Sequence, residues 1–182
     1  KLICTGEGGA IVTNNQEWSK WLETKLRHGA SSSDDVGMKF NDFGYNFRLS
    51  EIQSLLGSIQ LEKLEIIIKD RNKIRNFYKE GLSDIGFIPQ NIEDNVLFNC
   101  QSVVFKLPTG TSRNKLVFFL RSRNIESTLG TYSMSNNSYY SNKYNKTCPN
   151  SRYLEKNTIT LPCYEDIDVL PVIKGLRDFL KS

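Results

Sequence analysis

Phe43-Gly44-Tyr45-Asn46-Phe47-Arg48-Leu49-Ser50-Glu51-Ile52-Gln53 opens the longest regular element that this sequence encodes. The Ser50 hydroxyl can accept from the backbone N–H three residues on, and the Gln53 side chain can reach back to the Ser50 N–H. That is the form of a capping box. Beyond it Ile52, Leu55, Leu56, Ile59, Leu64, Ile67, Ile74 and Phe77 recur at helical spacing, so one face stays apolar until Gly81 stops the helix. At ~1.5 Å per residue such a helix reaches roughly 40 Å, enough to bridge two domains. The spacing therefore predicts three parts: residues 1–60, a bridging helix over 61–80, and a smaller domain over 81–182.

Upstream, Thr5-Gly6-Glu7-Gly8-Gly9 reads as a tight turn and Ala10-Ile11-Val12-Thr13 as a short strand. A helix is expected over Gln16 to Arg27, carrying Trp18, Trp21, Leu22 and Leu26, with His28-Gly29 ending it. Ala30 to Phe43 shows no period and is expected to be a long polar loop. The chain opens on Lys1 without an initiator methionine and enters a turn and a strand at once, as if cut from something longer.

Downstream, short strands are expected at Phe87-Ile88, at Gln101 to Leu107 and near Ser127-Thr128-Leu129. Helices are expected over Asn114 to Ser122, capped by Thr111 or Ser112, over Asn150 to Lys156, and over Asp166 to Leu180. Pro171 falls about one turn inside that last helix, where proline is tolerated. Tyr132 to Pro149, rich in Ser, Asn, Tyr and Lys, reads as irregular loop. Strands alternating with helices argue an α/β class for this part.

Composition excludes several functions. The 182 residues, 38% of them hydrophobic, can bury a sizeable core. The 24 Lys+Arg against 20 Asp+Glu leave +4, spread along the chain rather than gathered as in nucleic-acid binders. The densest basic run, Lys69, Arg71, Lys73, Arg75 and Lys79, reads as the solvated face of a helix. No apolar run approaches the roughly 20 residues of a membrane span. Cys4, Cys100, Cys148 and Cys163 lie far apart in sequence with no C-x-x-C pair, and there is one histidine. No metal site is expected from these, and reduced cysteines imply a cytoplasmic location.

Lys1-Leu2-Ile3-Cys4-Thr5-Gly6-Glu7-Gly8-Gly9-Ala10-Ile11-Val12-Thr13-Asn14 resembles a segment of the nucleotide-sugar aminotransferases, the DegT/DnrJ/StrS group of pyridoxal 5′-phosphate (PLP) fold type I. There a lysine is followed by a short stretch, then Gly/Ala-Glu-Gly-Gly before a strand. The resemblance puts Lys1 on the lysine that forms the Schiff base with PLP. Only a primary amine can make that bond and exchange it for a substrate amine. Relatives with histidine at this position are dehydratases, a branch against which Lys1 argues.

The opening stretch resembles the same family's Gly-Tyr-Asn-Tyr-Arg segment, followed by Asp/Glu-Ile-Gln and then Gln-Leu, here Gln60-Leu61. The resemblance implies that Asn46 reaches the PLP phosphate of the other subunit of a homodimer, with Arg48 close by. An amide NH₂ and a guanidinium suit a phosphate dianion. Alternatively, both residues only order the loop before the cap. A looser match, Glu126 to Tyr132, resembles a strand and loop that approach the sugar, which makes Thr131 and Tyr132 candidate substrate contacts. Ser133-Met134-Ser135-Asn136-Asn137 then departs from relatives that carry a histidine there. Cys148-Pro149-Asn150-Ser151 with Thr160-Leu161-Pro162 also resembles a family helix and turn. His28 reads as structural.

The resemblance implies the C-terminal part of a PLP fold type I aminotransferase: the end of the large domain, a long helix and a small α/β domain. The activity implied is transfer of an amino group, with glutamate as donor, to a nucleotide-linked keto-deoxysugar, in a homodimer with shared active sites. Most of the family's other cofactor ligands precede the lysine, so this piece alone is expected to be inactive. The contrasting reading is a non-catalytic, dimerising or regulatory remnant of the fold.

Overall fold

The computed structural model describes residues 1–33 and 36–181. They fall into two compact units, one built on Ile3–Leu64 with Lys1, the other running from Glu65 onward with Leu2.

In the first unit, helix α1 spans Gln16–Leu26. Asn15 caps it, its side chain accepting from the Glu17 and Trp18 amides at 2.9 and 3.0 Å. The chain leaves through His28 and Gly29, both at positive φ. Gly29 has no alternative: a Cβ there would lie 1.6 Å from the Asp42 carbonyl oxygen, and one on Gly44 would lie 2.2 Å from the Gly29 nitrogen. Strands β1 (Ala30–Ser33) and β2 (Met38–Phe40) form an antiparallel hairpin with a bulge between Ala30 and Ser32. The loop expected over Ala30 to Phe43 is thus partly a hairpin. Strand β1 (Ala-Ser-Ser-Ser) offers no apolar alternation, and the three residues of β2 are too few to read as a period. The Asp34 and Asp35 part of that expectation lies outside the described residues.

The segment after the hairpin is laid along the end of α1. The Tyr45 amide donates to the Lys25 carbonyl at 2.6 Å, and the His28 amide to the Tyr45 carbonyl at 2.9 Å. Arg27 and Asn46 form an antiparallel bridge. The Phe43, Tyr45 and Phe47 rings contact in series, at 5.0 and 4.8 Å between centroids. Lys25 Nζ reaches Asp42 at 2.7 Å and holds its carboxyl below the usual carboxylate range. Ala10 to Thr13 is not a strand: it carries no regular structure and has no ladder partner among the described residues.

The long helix is two. Helix α2 (Glu51–Glu62) starts on the Ser50–Gln53 capping box and ends at Lys63; α3 (Leu64–Leu82) follows and gives way to a 3₁₀ turn over Ser83–Ile85. Gly81 does not stop α3. The left-handed residue that closes this region is Gly86, at φ 82°.

In the second unit, β3 (Ile88–Pro89), β4 (Val103–Lys106), β5 (Thr128–Leu129) and β6 (Thr158–Leu161) form one antiparallel sheet in the order β3-β4-β6-β5. Helices α4 (Arg113–Arg121) and α7 (Leu170–Lys181) pack together with Phe119 and Phe179 edge to face at 5.3 Å. Alternation along the strands places Val103, Phe105, Ile159 and Leu161 in a core with Tyr78, Leu82, Leu116, Leu120, Val172 and Leu176. Each such side chain contributes about 1.5–3 kcal/mol by leaving water. On α3 the core residues are Tyr78 and Leu82, and Phe77, placed by periodicity on the apolar face, is exposed. The helix break at Lys63 ends the single stripe from which Phe77 was assigned.

Two further expectations need correcting. Tyr132 to Pro149 contains a 3₁₀ turn (Met134–Asn136) and α5 (Ser138–Tyr144), ahead of α6 (Pro149–Asn157). The last helix begins at Leu170, its amide capped by Asp168 at 3.0 Å, rather than at Asp166, which sits at φ 58°. No helix among the described residues is long and apolar enough to cross a membrane.

The first unit contrasts with the second in its interior. No residue of α1 or α2 is buried. Trp18, Trp21, Phe47, Ile52, Leu55 and Leu61 are all exposed.

Candidate functional site

Lys1 is exposed and leads into a turn whose shape is set from within by Thr5 Oγ1, which donates to the Glu7 carbonyl at 2.8 Å. Helix α2 holds that turn from outside. Gln53 Nε2 donates to the Glu7 carbonyl at 2.9 Å, and the Cys4 amide donates to Gln60 Oε1 at 3.1 Å. The two glutamines lie two helical turns apart on one face, with Gly57 between them. A Cβ on Gly57 would come 3.2 Å from Thr5 Cγ2, so glycine lets the turn sit close to the helix. Gln53 therefore does two jobs, since its Oε1 also accepts from the Ser50 amide at 3.2 Å. Sequence reasoning placed Gln53 and Gln60 in a motif without giving them this role. The available signal was the Gln-Gly-Gln array on one helix face.

Asn46 and Arg48 line one cavity of about 480 Å³, together with Gly8, Gly9, Ala10, Ile11, Leu26, Phe47 and Leu49. Lys1 is not among the lining residues. The Arg48 guanidinium donates from Nη2 to His28 Nε2 at 3.1 Å, so His28 orients a candidate site residue besides ending α1. A side-chain amide, a guanidinium and a glycine backbone make a donor set suited to an anion, so these residues fit the phosphate end of PLP. Among the described residues no cluster of His, Cys, Asp and Glu could hold a metal ion.

Thr131 and Tyr132 belong to the second unit. Thr131 lines a cavity of about 520 Å³ over the open face of the sheet, with Gln90, Val104, Lys106, Leu154 and Thr158 among its walls. Tyr132 is 73% exposed. The tract behind them is pinned rather than loose. Glu155 on α6 accepts from the Ser133 amide at 2.9 Å and from Asn136 Nδ2, and Ser133 Oγ lies 2.8 Å from Ser151 Oγ. Those donors, the Ser133 amide first, hold the Glu155 carboxyl below its ordinary range.

The basic run on α3 is only partly a solvated face. Arg71 donates to the carbonyls of Cys100, Gln101 and Cys163, and Arg75 to that of Gln90 at 2.8 Å. Lys73 pairs with Asp70 at 2.8 Å.

The model of the DegT/DnrJ/EryC1/StrS aminotransferase family matches residues 1–174. The GDP-perosamine synthase of Escherichia coli O157:H7 is 27% identical over 184 residues, covering 98% of this chain and 49% of that protein. The UDP-4-amino-4,6-dideoxy-N-acetyl-beta-L-altrosamine transaminase of Helicobacter pylori is 37% identical over 84 residues, 46% of this chain and 22% of that protein. Among solved structures, Helicobacter pylori PseC, an aminotransferase involved in pseudaminic acid biosynthesis, superposes with a TM-score of 0.87 at 25% identity, over 100% of this chain and 50% of its own. The chain spans about half the length of the full-coverage relatives it matches.

Proposed function

Because the chain belongs to the DegT/DnrJ/EryC1/StrS aminotransferase family, we propose that it forms the C-terminal half of a PLP-dependent enzyme that moves an amino group from an amino acid, glutamate first, to a nucleotide-linked keto-deoxysugar. The observation that carries this reading is the pair Asn46 and Arg48 lining one cavity beside Gly8 and Gly9. Residues of two motifs distant in sequence meet there with anion-binding chemistry.

In this reading Lys1 would supply the primary amine that holds the cofactor, and its Nζ would take up and release the proton that the chemistry requires. The cofactor, when bound, supplies an electron sink for the carbon that bears the transferred nitrogen. Asn46 Nδ2 and the Arg48 guanidinium donate to its phosphate, within a homodimer whose sites draw on both subunits. Gln53 and Gln60 are positioning residues, because they fix the turn that follows Lys1. Thr131 and Tyr132 offer hydroxyls to the sugar, and the tyrosine ring can cover its apolar face. The 4-keto position is expected ahead of the 3-keto. The domain assignment follows: residues 1–60 close a large cofactor domain, 61–80 bridge, and 81–182 form the small domain, in a protein of the cytoplasm. The exposed apolar surface of α1 and α2 supports this, as it fits a unit that packs against more protein.

The test is borohydride reduction of the full-length protein in the presence of PLP, followed by peptide mapping. Label on Lys1, lost in Lys1→Ala, is expected, while this chain by itself should retain no tightly bound PLP. Stoichiometric label on another lysine would overturn the assignment. The sugar class is read separately: the amino form of the cofactor made with glutamate should be consumed by keto-sugar nucleotides. Consumption only by simple 2-keto acids would leave an aminotransferase but remove the sugar.

A further inference from the structure

Cys100 and Cys163 are remote in sequence, yet the β4–β6 ladder brings them together. Val103 pairs with Leu161, and that antiparallel register continued outward sets Gln101 across from Cys163, with Cys100 beside it. Arg71 grips both: Nε donates to the Cys100 carbonyl at 2.7 Å and Nη1 to the Cys163 carbonyl at 2.6 Å. One guanidinium thus ties both carbonyls to the same point on α3. The side chains converge as well. Cys100 Sγ lies 3.4 Å and Cys163 Sγ 4.0 Å from the same acceptor, the Arg71 carbonyl oxygen. Both cysteines are free.

We propose that Cys100 and Cys163 are an oxidisable dithiol, a modification site at the open end of the β4–β6 pair that reacts with hydrogen peroxide and closes to a disulfide. This proposal does not depend on the aminotransferase reading. The surroundings assign the two sulfurs different parts. The Cys163 thiol beside it, then the Arg71 and Arg75 charges, push the Cys100 thiol down, whereas the interaction with Cys100 pushes Cys163 up. Cys100 is the sulfur better able to carry negative charge, and the thiolate is the nucleophile. Cys100 is buried and Cys163 half-buried, which favours a small oxidant over a bulky disulfide.

The chemistry balances. The Cys100 thiolate attacks one peroxide oxygen, the O–O bond breaks, and the departing hydroxide takes up a proton to become water. That leaves a sulfenic acid on Cys100. Cys163 then gives up its proton and attacks the Cys100 sulfur; the S–O bond breaks and a second water leaves. Two thiols lose two electrons and two protons, and one hydrogen peroxide is reduced to two waters.

The experiment treats the whole chain with hydrogen peroxide, folded and in urea, blocks the remaining thiols and maps peptides without reduction. In the folded chain the free-thiol count should fall by two from four, with one new cross-link, Cys100 to Cys163, reversed by dithiothreitol. In urea that pairing should lose its preference. A Cys4→Ser, Cys148→Ser double variant, which leaves the pair intact, should lose all its free thiols in the folded state. An unchanged thiol count, cross-links to Cys4 or Cys148, sulfinic or sulfonic acid on an unpaired Cys100, or the same product pattern folded and in urea would each overturn the proposal.

Discussion

Arg48 donates from Nη2 to Nε2 of His28 at 3.1 Å, which joins a candidate phosphate ligand to the residue that turns the chain at the end of α1. Arginine has no acceptor, so the His28 ring offers a lone pair at Nε2 and carries its proton on Nδ1. His28 also sits at φ 59°, a conformation that asparagine tolerates better than alanine. His28→Ala is therefore expected to destabilise the first unit more than His28→Asn, with a gap on the order of 1 kcal/mol. Both tryptophans, Trp18 and Trp21, lie on α1, so their fluorescence during denaturant unfolding reads this unit. Equal losses would mean that the backbone at His28 is not strained.

Gln53→Glu separates the two jobs of Gln53. A glutamate keeps the capping box, because its carboxylate can still accept from Ser50. It cannot donate to the Glu7 carbonyl, so the turn after Lys1 should loosen while α2 stays intact. Gln60→Leu should release the Cys4 amide in the same way. Each change should cost roughly 1 kcal/mol. Hydrogen exchange at residues 4–8 should quicken in both variants with unchanged helical circular dichroism. Unaltered exchange there would remove the positioning role.

Asn46→Ala should weaken PLP retention in the full-length enzyme by about 1.5–3 kcal/mol, the worth of a hydrogen bond to a charged group. A mixed dimer tests whether sites are shared. One subunit with Lys1→Ala and one with Asn46→Ala would place both lesions in one site and leave the other whole. About half the native activity per dimer should return on mixing, since one of two sites is restored. No recovery in verified heterodimers would mean that each subunit builds its own site.

Acid should release the tract after Tyr132. The Glu155 carboxyl is held below its ordinary range, so its contribution is fully present above the unfolded-state pKa, which for glutamate is about 4.3. That contribution is lost as pH falls through the lower, folded-state value. Protection of the Ser133 amide, measured against the unstructured exchange rate at each pH, should therefore fall below the ordinary glutamate range, and Glu155→Gln should show the lower protection at neutral pH. Protection in the native chain that stays constant through that range would place the anchoring elsewhere.

The features legible without a structure are those settled within a few residues. The Ser50–Gln53 box, the helix α1, the His28-Gly29 exit and the strand around Val103 depend on caps, turns and alternation, all local. The split of the long helix at Lys63 was not legible, because apolar residues recur on both sides of it. Nor was the exposure of Phe77, which Tyr78 replaces in the core. The hairpin of β1 and β2 escaped notice because β1 is almost wholly serine and β2 is only three residues long.

What only the tertiary structure decided are contacts between segments distant along the chain. Gln60 meets Cys4, Arg48 meets His28, and Arg71 gathers Cys100 and Cys163. Each is a directional bond whose partners are chosen by where helices and strands pack, and loop closure over long separations leaves no trace in local periodicity. The sequence alone determined which residue types could hold an amine, an anion or a thiol pair. Packing determined that Asn46 and Arg48 share a cavity with Gly8 and Gly9, and that two of four scattered cysteines share one carbonyl.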